Sequence, residues 1–495
     1  MSILKKLAGQ TAVYGISSIF GRFLNYLLVP VYTRIFLDTE YGVVTELYAY
    51  VAFFTVLYTY GMETAYFRFS EKEKKYDAVF STAFLSIAFT TVLLTGVFVF
   101  FSKEIAARLH YPGHPEYIIW FTLILAFDSL SAIPFARIRQ KGQPLKFAAI
   151  RIINIVANIG FNLFFLVFCP WAMKQGNPSI AGWVETFYNP QTGVGYVFIS
   201  NLIASGIMFL LTCTEVFKHR ISFNRSLWKE MVIYALPLLV VGFAGIIDEM
   251  TGRAMLKWLL PGTPDENLAQ LGIYGACYKL AMLVSLFTQA FRYAAEPFFF
   301  SQAKEANAPQ TFARVTKYFI IAGCLMFLVI MFYIDVAKYF IGENFRSGLK
   351  VVPVLLWANV ALGAYYNLSV WYKLTDKTIT GAYISIAGAV VTIALNVALI
   401  PLLGYIGSAW STLACYVFMA AVSYFLGQRY YPIPYEMWKI FAYIVSALLL
   451  YWSSIFAQSW LELNEPAVLA LNSGLLIVFL LFLWKMEFKK PLQRN

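Results

Sequence analysis

Apolar residues run along this chain in about fourteen stretches of roughly 18–25, the length at which a helix covers the core of a bilayer. The clearest are Ala78–Phe101, Tyr117–Pro134, Ile152–Phe168, Val194–Leu211, Met231–Ile247, Phe319–Tyr333, Val351–Tyr372, Ile379–Ile400, Gly407–Leu426, Ile440–Ile455 and Ala467–Leu483. Thr11–Phe36, Tyr41–Tyr66 and Leu271–Phe299 have the length but carry polar interruptions. The pattern predicts an all-α integral membrane protein with about fourteen transmembrane helices. Composition narrows it further: 60% of the 495 residues are hydrophobic and 13% charged, so no sizeable water-soluble domain is expected.

Charge sets the orientation. Cytoplasmic connections accumulate Lys and Arg, and counting from a cytoplasmic N-terminus puts 25 of the 38 basic residues on that side, in clusters such as Arg68/Lys72/Lys74/Lys75 and Arg137/Arg139/Lys141/Lys146. Seven fall on the opposite side: Lys103, Arg108, Lys174, Lys257, Lys338, Arg346 and Lys350. Both termini are therefore expected in the cytoplasm, in a multi-pass membrane protein. The net charge of +12 is dispersed over short loops, which fits an orientation signal and not nucleic-acid binding. Thr11–Phe36 reads as a first span, not as a removable signal. Five cysteines within or beside spans, and three histidines in loops, offer no metal spacing. No cofactor or metal is expected.

The chain repeats itself. Tyr41-Gly42-Val43, leading to Phe67-Arg68-Phe69-Ser70, has a counterpart 230 residues on in Leu271-Gly272-Ile273, leading to Phe298-Phe299-Phe300-Ser301. Asn162 and Asn396 sit in similar apolar settings 234 residues apart. Parallel repeats imply two six-helix lobes related by a pseudo-two-fold along the membrane normal, 1–217 and 218–430, with helices 13 and 14 and a cytoplasmic tail in 431–495. Trp171–Gln191 is then an external insertion in the first lobe. Duplicated lobes suggest a transporter that alternates its access about a central site.

Gly15-Ile16-Ser17-Ser18-Ile19-Phe20-Gly21-Arg22, Pro30-Val31-Tyr32-Thr33-Arg34-Ile35-Phe36 and Glu40-Tyr41-Gly42 resemble the start of bacterial polysaccharide flippases of the Wzx type. Asn396 to Pro401, followed by Gly404-Tyr405-Ile406-Gly407-Ser408-Ala409, does so too. These flippases belong to the superfamily of multidrug exporters, oligosaccharidyl-lipid flippases and polysaccharide exporters. The resemblance implies two six-helix bundles forming a V with two helices added outside. It also implies a non-enzymatic activity: turning an undecaprenyl-diphosphate-linked oligosaccharide from the inner to the outer leaflet during O-antigen or capsule assembly. The implied partners are that lipid-linked oligosaccharide, membrane lipid and polysaccharide polymerase machinery.

Charged residues inside spans are costly and tend to face the bundle interior or water. Arg22, Arg253 and Lys279 are the candidate cations for a substrate diphosphate, Arg because its planar fork matches phosphate. The competing reading is structural, with Arg22 paired to Asp128 and Arg253 to Asp248 or Glu249. Arg34, Arg151 and Arg292 lie near membrane edges, where snorkelling is expected. Asn154, Asn158 and Asn162 share one helical face, with Asn396 at a matching place in the second lobe; they are candidates for facing sugar hydroxyls or for bonding helices together. Asp128, Asp248, Glu249, Glu63 and Glu296 are candidates for ion coupling. Coupling is not demanded, because moving two negative charges outward releases roughly 4.6 kcal/mol per 100 mV.

Two other functions compete. A glycan polymerase or ligase would need a catalytic constellation in a large outer loop, yet Pro170–Gly193 carries only Lys174 and Glu185 as charges. A multidrug exporter of the same superfamily would favour an acidic cavity without the arginines.

Overall fold

The computed structural model describes residues 21, 23–73, 76–175, 178–217, 222–303, 305–375 and 377–488. Among them there is no β-strand, and thirteen helices are long and apolar enough to cross a membrane. Residues 11–20 and 22 of the first apolar run lie outside the described residues, and its described part ends in the helix α1, Val29–Ile35. The thirteen are α2 (Asp38–Glu71), α3 (Tyr76–Phe100), α4 (Pro115–Gln140), α5 (Pro144–Lys174), α6 (Gly195–Phe217), α7 (Arg225–Leu259), α8 (Pro264–Gln302), α9 (Ala308–Phe332), α10 (Glu343–Leu374), α11 (Thr378–Leu403), α12 (Tyr405–Tyr430), α13 (Met437–Leu461) and α14 (Glu465–Phe488).

Local chemistry sets the ends. Pro115, Pro144 and Pro264 open α4, α5 and α8, where a missing N–H removes no helical bond. At the start of α2 the Glu40 carboxylate accepts from the Leu37 N–H at 2.9 Å. Further along, Tyr60 and Gly61 take φ of 33° and 75° and interrupt the helix. Glycine is required at Gly61, because the backbone is left-handed and a Cβ there would lie 3.0 Å from the Ala235 carbonyl of α7. α5 passes through a π-helical turn at Phe164–Phe168, which begins two residues after Asn162. The connection between α5 and α6 contains a short helix, Pro178–Glu185.

Helices show lipid-facing and packed sides. On α13 the large side chains Trp438, Phe441, Val445, Leu449, Trp452 and Phe456 are exposed, while Ile440, Tyr443, Ala447 and Ser454 on the other face are buried. That apolar surface needs hydrocarbon around it.

The chain falls into two compact units, residues 1–275 with 392–408, and residues 276–391 with 409–495. One core of the first unit is built from Tyr66, Phe80, Ile133, Met231 and Ala235, which come from α2, α3, α4 and α7. In the second, Phe299, Phe312 and Val370 pack with Ile433, and Tyr365 packs with Tyr416 and Met419. Buried Lys317 of α9 reaches Glu487 of α14 at 2.8 Å and Glu436 before α13 at 3.3 Å, fastening the last two helices to that unit.

Within the first unit α2 and α8 cross at glycines. A Cβ at Gly272 would sit 2.0 Å from the Asp38 carbonyl, and one at Gly42 would sit 2.1 Å from that of Leu268. Such close backbone approach is how small residues drive helix association in lipid. Replacing Gly272 by Val should destabilise the protein by about 1–3 kcal/mol, seen as a lower unfolding temperature in detergent. Gly96→Val, at a position with nothing within 4 Å, should leave that temperature nearly unchanged; equal behaviour of the two would contradict the crossing.

Candidate functional site

Beside the glycine crossing, at the Asp38 end of α2, lies a buried ion pair. Glu46 is fully buried and Lys257 of α7 is 4% exposed. The Lys257 ammonium donates to Glu46 Oε2 at 2.8 Å and to the Leu109 carbonyl at 2.5 Å. Tyr111 donates to the same carboxylate oxygen, and Tyr50 donates to Oε1 at 3.1 Å. The Trp258 indole in turn donates to the Tyr50 hydroxyl at 3.0 Å. The ammonium also lies 4.1 Å from the centre of the Tyr111 ring. Burial and the nearby Glu46 carboxylate hold the Tyr111 phenol well above its ordinary pKa, so it stays a donor. Asn267 of α8 completes the cluster, its amide donating to the carbonyls of Lys257 at 3.0 Å and Leu260 at 2.8 Å. Every residue named here is in the first unit. The cluster clasps α2, α7 and the start of α8 to the 101–114 connection.

Sequence reading places Glu46 in a span but counts Lys257 among loop lysines. The structure instead turns Lys257 inward, because α7 continues to Leu259 past the expected end of its apolar run at Ile247. Position along the chain gave no hint of its partner 211 residues away.

A second polar cluster joins α7 to α11 in the same unit. The Thr392 hydroxyl donates to Asp248 Oδ1 at 3.5 Å, and Asp248 is 6% exposed. One turn away from each, Gly252 faces Asn396. Asn396 is fully buried; its Nδ2 donates to the Thr392 carbonyl at 2.8 Å, while its Oδ1 has no hydrogen-bond partner. A Cβ at Gly252 would lie 2.3 Å from Ser408 Oγ and 3.6 Å from Asn396 Oδ1, so the glycine keeps this spot open to small polar groups.

Arg22 lies outside the described residues, as does the side chain of Glu296. Arg253 is half-buried and donates to the Glu249 carbonyl at 3.4 Å, and the Glu249 side chain is exposed. Lys279 is half-buried in the second unit. Asp128 faces Ser205 of α6 with Arg151 in electrostatic range. Glu63 pairs with Arg139 on α4. The asparagine stripe divides: Asn154 is half-buried, Asn158 donates to Asn25 Oδ1 at 3.3 Å, and buried Asn162 accepts from Tyr32 at 2.8 Å. Asn162 thus ties α5 to α1. Among the described residues no group of three or more His, Cys, Asp or Glu is placed to hold a metal.

The fold defines a class. It is similar to a lipid II flippase, MurJ, in an inward closed conformation, with TM-score 0.71 and 12% identity over 96% of this chain and 99% of that one. It is also similar to an inward-facing multidrug resistance MATE family transporter of the MOP superfamily (TM-score 0.63, 12% identity, 85% of this chain and 94% of that one). The MATE multidrug transporter DinF-BH gives TM-score 0.60 at 16% identity over 86% of this chain and 96% of that one. This is the membrane-transporter fold that flippases and exporters of that superfamily share. A search of curated proteins finds no match by sequence. A family model matches residues 7–303, and the chain belongs to that family, the polysaccharide biosynthesis proteins.

Breaking the clasp from one side strands a buried charge. Lys257→Met should destabilise the protein by about 3–5 kcal/mol, and the double change Glu46→Leu/Lys257→Met by much less. Denaturant unfolding in detergent checks it, and additive losses in the double variant would contradict the pairing.

Proposed function

We propose that this protein flips an undecaprenyl-diphosphate-linked oligosaccharide from the inner to the outer leaflet for O-antigen or capsule assembly, by alternating access. One finding carries the reading: a chain of the polysaccharide biosynthesis family has, over 96% of its length, the fold of a solved lipid II flippase. It is a transporter rather than an enzyme, and works in the inner membrane with both termini in the cytoplasm.

The lobes are 1–217 and 218–430, followed by 431–495. Gly21 and Gly252 support the repeat, since each precedes an arginine and each marks a close approach: a Cβ at Gly21 would lie 2.6 Å from Ile155 of α5, and one at Gly252 would lie 2.3 Å from Ser408. In this scheme the clasp ties α2 of one lobe to α7 and α8 of the other on the outer side. Outward release of substrate requires it to open. Arg22, Arg253 and Lys279 would hold the diphosphate, and Asn154, Asn158 and Asn396 the sugars, while Asn162 serves mainly to join helices. The Asp248, Thr392 and Asn396 oxygens offer a place for a small monovalent cation or a proton, which supports coupling through Asp248 more than through Glu249, Asp128, Glu63 or Glu296.

Vesicles loaded with the protein and a fluorescent undecaprenyl-diphosphate oligosaccharide test the reading. Wild type should expose the lipid to an external quencher, and Arg253→Ala should slow this by about ten-fold or more while the protein inserts normally. Absence of flipping by wild type, with efflux of a cationic dye, would favour a drug exporter. Reporters fused at residues 180 and 495 should fall on opposite sides of the membrane; finding both on one side would break the topology.

A further inference from the structure

In the second unit a cavity opens between two facing helical stripes. α8 contributes Thr288, Phe291, Arg292, Ala295 and Phe299, and α10 contributes Gly363, Tyr366, Asn367, Val370 and Lys373. These spacings of three, four and seven put each set on one face of its helix. The cavity holds about 430 Å³ of unfilled space counting its mouth, of which about 20 Å³ admits the centre of a water molecule. That inner space suits one or two waters.

Its lining is unlike a packed core. Thr288 is 2% and Asn367 4% exposed, yet Thr288 Oγ1 and Asn367 Oδ1 have no hydrogen-bond partner. Leaving such groups unmade inside a protein is costly, and each is a place for a ligand or an ordered water. Gly363 leaves the space beside the hydroxyl unfilled, because a Cβ there would lie 3.0 Å from Thr288 Oγ1 and strike the Phe319 ring. Two cations stand on the same walls: Arg292, whose guanidinium lies 4.6 Å from the centre of the Tyr366 ring, and Lys373. Snorkelling explains neither the cavity nor its unpartnered hydroxyl.

We propose that this cavity binds the phosphate group of a lipid. Arg292 and Lys373 neutralise the anion at the cavity's mouth, and ordered waters in the inner space link Thr288 Oγ1 and Asn367 Oδ1 to its oxygens. A lipid-linked diphosphate and a phospholipid headgroup share this chemistry. The first rests on the transport reading given above; the second does not.

Full-length protein in nanodiscs of neutral lipid would be titrated with undecaprenyl diphosphate and, separately, with phosphatidylglycerol. Thr288→Val and Arg292→Gln should each weaken binding of at least one of them by about ten-fold, and Thr288→Ser and Arg292→Lys should restore most of it. Loss for undecaprenyl diphosphate alone assigns the site to the transported lipid; loss for phosphatidylglycerol assigns it to a membrane lipid. Wild-type affinity of both variants for both lipids would overturn the site, whatever wild type does in the flipping assay. Conversely, weakened binding together with a wild type that flips no lipid-linked oligosaccharide would leave the site standing and remove the transport reading.

Discussion

The pairing of Glu46 with Lys257 is the constraint on which the rest of this account depends. Two charges buried among α2, α7 and the 101–114 connection are expensive to desolvate, and the structure offsets this by satisfying the carboxylate from three donors. Such a pair adds little net stability over an apolar replacement. It does specify geometry: α2 and α7 meet in one register, and the Gly42, Gly272 and Gly275 contacts bring α8 into the same knot. A clasp made of charge can also be released in a way that an apolar seam cannot, since water entering the parted helices solvates both groups.

Sequence reading recovered the helices and missed the clasp, for physical reasons. An apolar run is a local property, so Ala78–Phe101 anticipates α3 at Tyr76–Phe100 within two residues. Lys257 is a tertiary property. Its position after a charged turn resembles a loop, and only the continuation of α7 through Asp248, Glu249 and Arg253 turns it inward. The asparagine stripe was legible as a face, but periodicity does not reveal that Tyr32 covers Asn162. The α8 and α10 cavity was illegible for the same reason: Thr288 and Asn367 gain meaning only when two helices are laid together.

Polar chemistry is distributed unevenly along the spans. Near the Asp38 end of α2 it is consumed in the clasp. The Asp248, Thr392 and Asn396 cluster and the Thr288 and Asn367 cavity instead each hold a buried oxygen with no protein partner. Oxygens left in that condition suit a protein that exchanges water, ions or ligand groups as it works.

The central claim is that the α2, α7 and α8 junction opens during transport. Thr45, next to Glu46, and Gly275 are placed to test it, because a Cβ at Gly275 would lie 3.1 Å from that of Thr45, a few tenths of an ångström short of the range of about 3.5–4.5 Å that disulfides span, so that a small outward shift of either helix brings the pair within it. The measurement is flipping by Thr45→Cys/Gly275→Cys in vesicles before oxidation, after it, and after reduction. The account predicts that oxidation forms the cross-link and stops transport, and that reduction restores it. Undiminished flipping by fully cross-linked protein would contradict it.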